Sequence, residues 1–359
     1  MVKVLHVYPE LRSAGTEMVI MNLYRNIDRE KVKFDFLVMS AGESDARFSA
    51  LGANIHYLPK TKNYNKDLLA FFRAHPEYKI IHAHTHKEMG IVLKAAKKAG
   101  VPCRIAHSHN SRADLPKVMR LYKMITGWDI ESSATHFLAC SREAAEWLFP
   151  RRHKRAAVWN NAIDLDAFRF DPSARVKYRA ELGIPADARV VAHVGRFADQ
   201  KNHAFLIKVL NKLTERDDSI WAILVGDGPL FDEMRAAVNG TRILFLGQRS
   251  DVPGLLSASD IFLFPSHYEG LGIVAVEAQA SGLFCLASEG VPAAADVGIG
   301  LFERISLDKG DAVWSDKCAA HLSSADIIGR SERSDLAFTT DYNIHKIAKM
   351  AEEFYLCSV

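Results

Sequence analysis

The chain has 359 residues, 48% of them apolar and 25% charged, with a formal net charge of +3. These values describe an ordinary globular protein of about two domains, and the charge is too small to argue for a nucleic-acid partner. Five widely spaced cysteines with no Cys-x-x-Cys pair read as thiols in a reducing compartment. No apolar run of about 18 residues and no basic-then-apolar leader speaks for a membrane span or for secretion.

In chain order, short β-rich runs alternate with helical stretches. A first series of strands is expected at 2–8, 34–39, 54–58, 79–84, 104–109, 136–140 and 157–159. A second series is expected at 190–194, 221–225, 243–246, 261–264, 284–287 and 301–305. Helical patterns fall between them at 17–27, 87–98, 143–148, 204–216, 230–239 and 273–280. Such alternation predicts parallel sheets covered by helices on both faces, here as two doubly wound domains whose strand ends face a common cleft. The pattern breaks after Asn160-Asn-Ala-Ile-Asp164, where a polar stretch carries Pro172 and Pro185. We therefore expect a domain at 1–163, a second at 164–340, and a C-terminal amphipathic helix within 341–359 that packs back on the first domain.

The motif richest in chemistry follows the run Asp260-Ile-Phe-Leu-Phe-Pro265, which reads as a buried strand. Glu269 stands before Gly270-Leu271-Gly272, and Glu277 lies eight residues beyond it in a helical pattern. A strand, a glycine turn and a helix aim free N–H groups and the positive helix end at one point, which suits a phosphate. Eight helical residues span on the order of 12 Å. That length matches a sugar–diphosphate–ribose unit, with one carboxylate for sugar hydroxyls and the other for ribose. Glu277 sits between Val276 and Ala278, where an unpaired carboxylate is costly without partners.

Two further turns follow strands of the second series. Gly195-Arg196-Phe-Ala-Asp-Gln-Lys201-Asn202 brings two cations to a helix start at about His203, an arrangement suited to a diphosphate. Gly226-Asp-Gly228-Pro229 is a sharp turn whose glycines permit close backbone approach to a ligand, or serve the turn alone. The segment 247–251 is a candidate for nucleobase contacts. In the first series, Arg12-Ser-Ala-Gly15-Thr16 leads into a helix and could face phosphates, but it lacks the Gly-x-Gly-x-x-Gly of dinucleotide binders.

Histidines cluster at strand ends as His82, His84 and His86, then His107 and His109. Alternation places each set on one strand face. Three imidazoles on one face could hold a metal, yet no carboxylate or cysteine constellation matches, so no metal is expected. Cleft-lining histidines, one of them contacting sugar or phosphate and most of the others structural, are the stronger expectation. No Gly-x-Ser-x-Gly elbow, Walker loop or zinc-finger spacing is present.

In this order, the 195–202 segment, Gly226-Asp-Gly-Pro229 and Glu269-Gly-Leu-Gly-x4-Glu277 resemble glycosyltransferase family 4, retaining nucleotide-sugar enzymes of the GT-B fold. Asn161-Ala-Ile-Asp164 and Ala139-Cys-Ser-Arg-Glu-Ala-Ala145 are similar to segments of the same family, so the resemblance covers nearly the whole chain. It implies that Glu269 holds the donor sugar and Glu277 the ribose. It also implies that Arg196 and Lys201 bind the diphosphate, helped by backbone N–H groups at Gly270, Leu271 and Gly272 and by Gly15. His109, with His107 as runner-up, would stand near the donor sugar, and no cofactor or metal would be needed. Two departures bear on access and sugar selectivity: Ala14 replaces a common second glycine, and Ala293 to Ala295 follow Pro292 where an acidic residue is frequent.

The resemblance is nearest to the branch that builds bacterial capsular, exo- and O-antigen polysaccharides. It implies transfer of a hexose or N-acetylhexosamine from a nucleotide diphosphate sugar, UDP favoured, to a saccharide acceptor such as a polyprenyl-diphosphate-linked one. The expected location is cytoplasmic, at the inner membrane face. Arg112, Lys117, Arg120 and Lys123, with the run 151–155, are compatible with peripheral docking on anionic lipid. Two other readings are a sugar-nucleotide epimerase of similar architecture, acting without acceptor, and a catalytically silent nucleotide-binding subunit.

Overall fold

The strands β1 (Val2–Tyr8), β2 (Val32–Val38), β3 (Ile55–Tyr57), β4 (Ile80–Ala83), β5 (Cys103–Ser108), β6 (His136–Ala139) and β7 (Ala157–Val158) make one parallel sheet, in the order β3-β2-β1-β4-β5-β6-β7. This computed structural model describes residues 1–12, 15–85, 88–109, 129–324 and 329–358. Burial is nearly continuous along β1, β2, β4 and β5 and does not alternate, as expected for strands covered on both faces. One face packs on the helices Gly15–Asn26 and Ile344–Cys357, with Tyr8, Tyr24, Phe34, Phe36 and Tyr355 in the core. The other packs on Tyr64–Ala74, Met89–Lys98 and Arg142–Leu148.

A second parallel sheet contains β8 (Arg189–Val194), β9 (Ile220–Val225), β10 (Ile243–Phe245), β11 (Ile261–Phe264), β12 (Phe284–Ser288) and β13 (Phe302–Ile305), in the order β10-β9-β8-β11-β12-β13. His203–Arg216 and Gly310–Ser324 cover one face, and Val252–Ala258 and Ile273–Ala280 the other. Each sheet reverses its strand order once, between β1 and β4 in the first and between β8 and β11 in the second. Open α/β sheets bind ligands outside the carboxyl ends of the strands at such reversals.

The chain divides into two units, residues 1–162 with 344–359, and residues 163–343. The helix Ile344–Cys357 belongs to the first: Ile344, Ile347, Ala348, Ala351 and Tyr355 are buried in its core, and Lys31 pairs with Glu352 at 2.9 Å. The polar stretch read as a junction is not a bare linker. Asp171 accepts a hydrogen bond from the Ser173 N–H and Pro172 occupies the first turn, so Pro172–Glu181 is a capped helix. Its Arg175 and Arg179 reach Asp260, just before β11, at 2.6 and 2.8 Å, and the same carboxylate accepts from the Val190 N–H at 2.7 Å. Arg330 joins from another helix and donates to the carbonyls of Leu256 and Ser281, both at 2.8 Å, while burial pushes its guanidinium down to about 9.

All five cysteines are free, and Cys103, Cys140, Cys285 and Cys318 are buried. Among the described residues no helix is long and apolar enough to cross a membrane.

Candidate active site

At the strand-order reversal of the second sheet, the segments after β8 and β11 come together. After β8 the chain runs through Gly195 and Arg196 into a short 3-10 turn, Asp199–Lys201, and Asn202 adopts a left-handed conformation (φ 54°) before the helix His203–Arg216. Asn is among the few side chains that tolerate this region. Its amide donates to the Pro265 carbonyl at 3.2 Å, and the His267 N–H donates to the Gln200 carbonyl at 2.8 Å. These bonds tie the turn after β8 to the segment after β11.

The tie brings the ammonium of Lys201 to 2.6 Å from a carboxylate oxygen of Glu269, a pair 16% and 7% exposed. Gln200 supports it, donating to the Tyr268 carbonyl at 3.0 Å and reaching the second Glu269 oxygen at 3.4 Å. The Lys201 Nζ also lies 4.9 Å from the centre of the Phe264 ring. Two residues 68 apart in sequence thus form one part-buried charged unit. Arg196, in the same turn, is exposed and has no ionic partner among the described residues.

The loop from Glu269 leads to the helix Ile273–Ala280 through Gly272, whose φ of 80° belongs to glycine. A Cβ there would stand 2.7 Å from the Phe264 ring. Among the described residues Gly270, Leu271 and Gly272 donate no backbone hydrogen bond, so three N–H groups are available at the helix start. The side chain of Leu271 is buried with Val276, Ala280 and Tyr342, which leaves its N–H as the part that can meet a ligand. Glu277 lies on this helix, partly buried, and its carboxylate makes no hydrogen bond or ion pair among the described residues. Burial pushes its carboxyl up to about 7.

Gly226 and Gly228 adjoin the same turn. A Cβ on Gly226 would lie 2.0 Å from the Gly195 oxygen, and one on Gly228 would lie 2.5 Å from the Phe197 oxygen. Both glycines therefore admit a close approach of the neighbouring loop. In the segment 247–251, Arg249 is held by Asp251 through bonds of 2.8 and 2.5 Å.

The remaining sequence candidates are in the first unit. Gly15 opens the helix Gly15–Asn26. His107 ends up in β5 and His109 just past it, both buried. His82 and His84 are stacked beside them, with His107 at 5.1 Å from His82 and His109 at 5.1 Å from His84 between ring centres. His86, Ala14 and the basic residues Arg112, Lys117, Arg120 and Lys123 lie outside the described residues. Two participants escape the sequence reading. Gln200 carries no signal of its own in the sequence, although it stands beside Lys201. His6 joins the histidine group because β1 pairs with β4, a neighbour some 75 residues distant in the chain.

Two family models match this chain: Glycosyltransferase Family 4 over residues 13–167 and Glycosyl transferases group 1 over residues 174–312. The protein EpsF of Bacillus subtilis, named as a glycosyltransferase, is 35% identical over 333 residues, covering 88% of this chain and 87% of its own. The chain belongs to glycosyltransferase family 4. Another relative, the Escherichia coli UDP-Gal:alpha-D-GlcNAc-diphosphoundecaprenol alpha-1,3-galactosyltransferase, is 29% identical over 228 residues, 59% of this chain and 58% of that one. Among solved structures, HepE of Anabaena in complex with UDP matches over the full length of both chains with a TM-score of 0.83 at 20% identity. The family member described here thus has the GT-B fold, with one parallel sheet per unit.

Proposed function

We propose that this glycosyltransferase moves a hexose or N-acetylhexosamine from a UDP-sugar to a saccharide acceptor with retention at the anomeric carbon, in surface polysaccharide synthesis. The observation that carries the reading is the Lys201–Glu269 unit, set at the strand-order reversal beside unpaired N–H groups and the uncommitted Glu277. In this reading Glu269 accepts from sugar hydroxyls while Lys201 fixes its position. Lys201, Arg196 and the N–H groups of Gly270, Leu271 and Gly272 meet the negative charge that grows on the departing diphosphate. Glu277 accepts from the ribose hydroxyls, which replace the solvation its carboxylate has lost. Gly226 and Gly228 shape the turn that carries Arg196, and His109 and Gly15 act from the first unit. None of these roles calls on a metal.

The UDP preference is supported by the E. coli relative, whose name specifies UDP-Gal, and by the complex of HepE with UDP. The same relative acts on a diphosphoundecaprenol-linked sugar, which favours a lipid-linked acceptor here. Such an acceptor places the enzyme at a membrane face. A cleft of about 290 Å³ in the first unit is lined by Arg151, Arg152 and Arg155 together with Ser132 and Glu131, whose carboxylate accepts from the Arg151 and Arg152 N–H groups, and its cationic excess favours anionic headgroups.

The test is thermal-shift binding against UDP-, GDP- and ADP-sugars with wild type and Glu277→Ala. Stabilisation by the UDP series that the substitution abolishes is the expected outcome. Equal stabilisation of both proteins would remove Glu277 from the donor site. The anomeric configuration of the product, read by NMR, decides retention.

A further inference from the structure

Five buried imidazoles gather at the strand-order reversal of the first sheet. They belong to His6 in β1, His82 in β4, His84 just beyond it, His107 in β5 and His109 just beyond that. Their ring nitrogens form two hydrogen-bonded lines. One runs from the Tyr355 hydroxyl to His82 Nδ1 at 2.8 Å and from His82 Nε2 to His107 Nδ1 at 3.0 Å. The other runs from His6 Nδ1 to His84 Nε2 at 3.0 Å and from His84 Nδ1 to His109 Nε2 at 2.8 Å. The first line stops short: His107 Nε2 is buried and has no hydrogen-bond partner among the described residues. His84, His107 and His109 each offer one ring nitrogen, and these three nitrogens lie within 4.8 Å of one another.

We propose that His84, His107 and His109 bind a divalent transition ion of the zinc class. The claim rests on residues of the first unit alone and shares only His109 with the donor-site reading, so it is tested through His84 and His107. An all-imidazole set suits zinc, copper or nickel and disfavours magnesium and calcium. Three histidines are also a complete protein ligand set for a zinc site with one open position, so no carboxylate or cysteine is required.

The tautomers the ion demands are compatible with the observed pairs. With His107 ligating through Nε2, its Nδ1–H donates to His82 Nε2, and the His82 Nδ1–H donates to the Tyr355 oxygen. With His84 ligating through Nδ1, its Nε2–H donates to His6 Nδ1. A ligating histidine characteristically gives its second N–H to such a partner, which fixes the ring and raises its basicity. Four-coordinate zinc with bonds of about 2.0–2.1 Å sets its ligand nitrogens roughly 3.3 Å apart. The His84–His109 pair, at 2.8 Å, therefore opens by about half an ångström to exchange its hydrogen bond for the ion. His109 then ligates through Nε2.

The experiment uses the full-length chain without a histidine tag, stripped with chelator and titrated with Co²⁺ as the spectroscopic probe, then with Zn²⁺. We expect about one equivalent retained after gel filtration, the intense visible bands of a four-coordinate cobalt site, and their loss on adding Zn²⁺. His107→Asn and His84→Asn should each reduce retention at least tenfold, whereas His75→Asn, elsewhere in the same unit, should leave it unchanged. Retention below about a tenth of an equivalent by wild type would overturn the proposal, as would full retention by both site variants. Should those variants fail to fold, the wild-type spectrum decides, since weak octahedral bands alone would also overturn it.

Discussion

Lys201 and Glu269 behave as one group, because each is the other's charge partner at 2.6 Å with little exposure. Lys201→Ala removes a cation from the leaving phosphate and also strands a buried carboxylate. It should lower kcat by about 10²–10³-fold, the usual cost of one preorganised donor, with a smaller change in donor affinity. Lys201→Ala/Glu269→Gln should lose much less stability than the sum of the single variants, read by urea unfolding. Glu277 presents the opposite case of a carboxylate without a partner. Its folded-state value of about 7 lies above the unfolded value of 4.5, so the folded protein binds a proton more tightly. The resulting penalty is absent below pH 4.5, grows as pH rises and is complete above about 7. Ligand-free Glu277→Gln should therefore melt with wild type at pH 4 and several degrees above it at pH 8. Loss of a charge-assisted bond should weaken UDP-sugar binding by the variant about 10- to 100-fold. A melting difference that does not change with pH would contradict this account.

At the scale of elements, strands and turns were the legible part of the sequence. The expected strands all form, with ends shifted by at most two residues: the central ones are apolar runs buried on both faces and closed by turn residues, while the edge strands Ile55–Tyr57 and Ala157–Val158 are half-buried or exposed. The polar helix Pro172–Glu181 was missed although Asp171-Pro172 is a good start signal. Its buried face consists of Arg175 and Arg179, so hydrophobic periodicity could not reveal it. Asp260→Asn tests this arginine-lined contact. It leaves two buried guanidiniums without their carboxylate and should cost about 3–5 kcal/mol of stability in urea denaturation. Gly226→Ala tests the turn at the site. Its Cβ meets the Gly195 oxygen at 2.0 Å, so the variant should displace the Arg196-bearing loop and lose donor binding more than it loses helix content by circular dichroism.

Over the whole molecule, the two units have separate cores, and the chain crosses from one to the other after Ala162 and returns after Asn343. Donor ligands should accordingly raise the melting transition of residues 163–343 by differential scanning calorimetry and move that of the first unit less. Deleting residues 344–359 should abolish the cooperative transition of the first unit, since Ile344, Ile347, Ala351 and Tyr355 complete its core. Residue pattern alone was enough for the class of each unit, the turns that carry Arg196, Lys201, Glu269 and Glu277, and the family. These are local properties of pattern and spacing, written in consecutive residues. Folding was needed to show that Lys201 and Glu269 pair, that the Gly195 backbone packs against Gly226, and that His6 joins His82, His84, His107 and His109. Those contacts depend on which strands become neighbours where the sheet order reverses, and parallel pairing brings together residues whose separation in the chain carries no local signal.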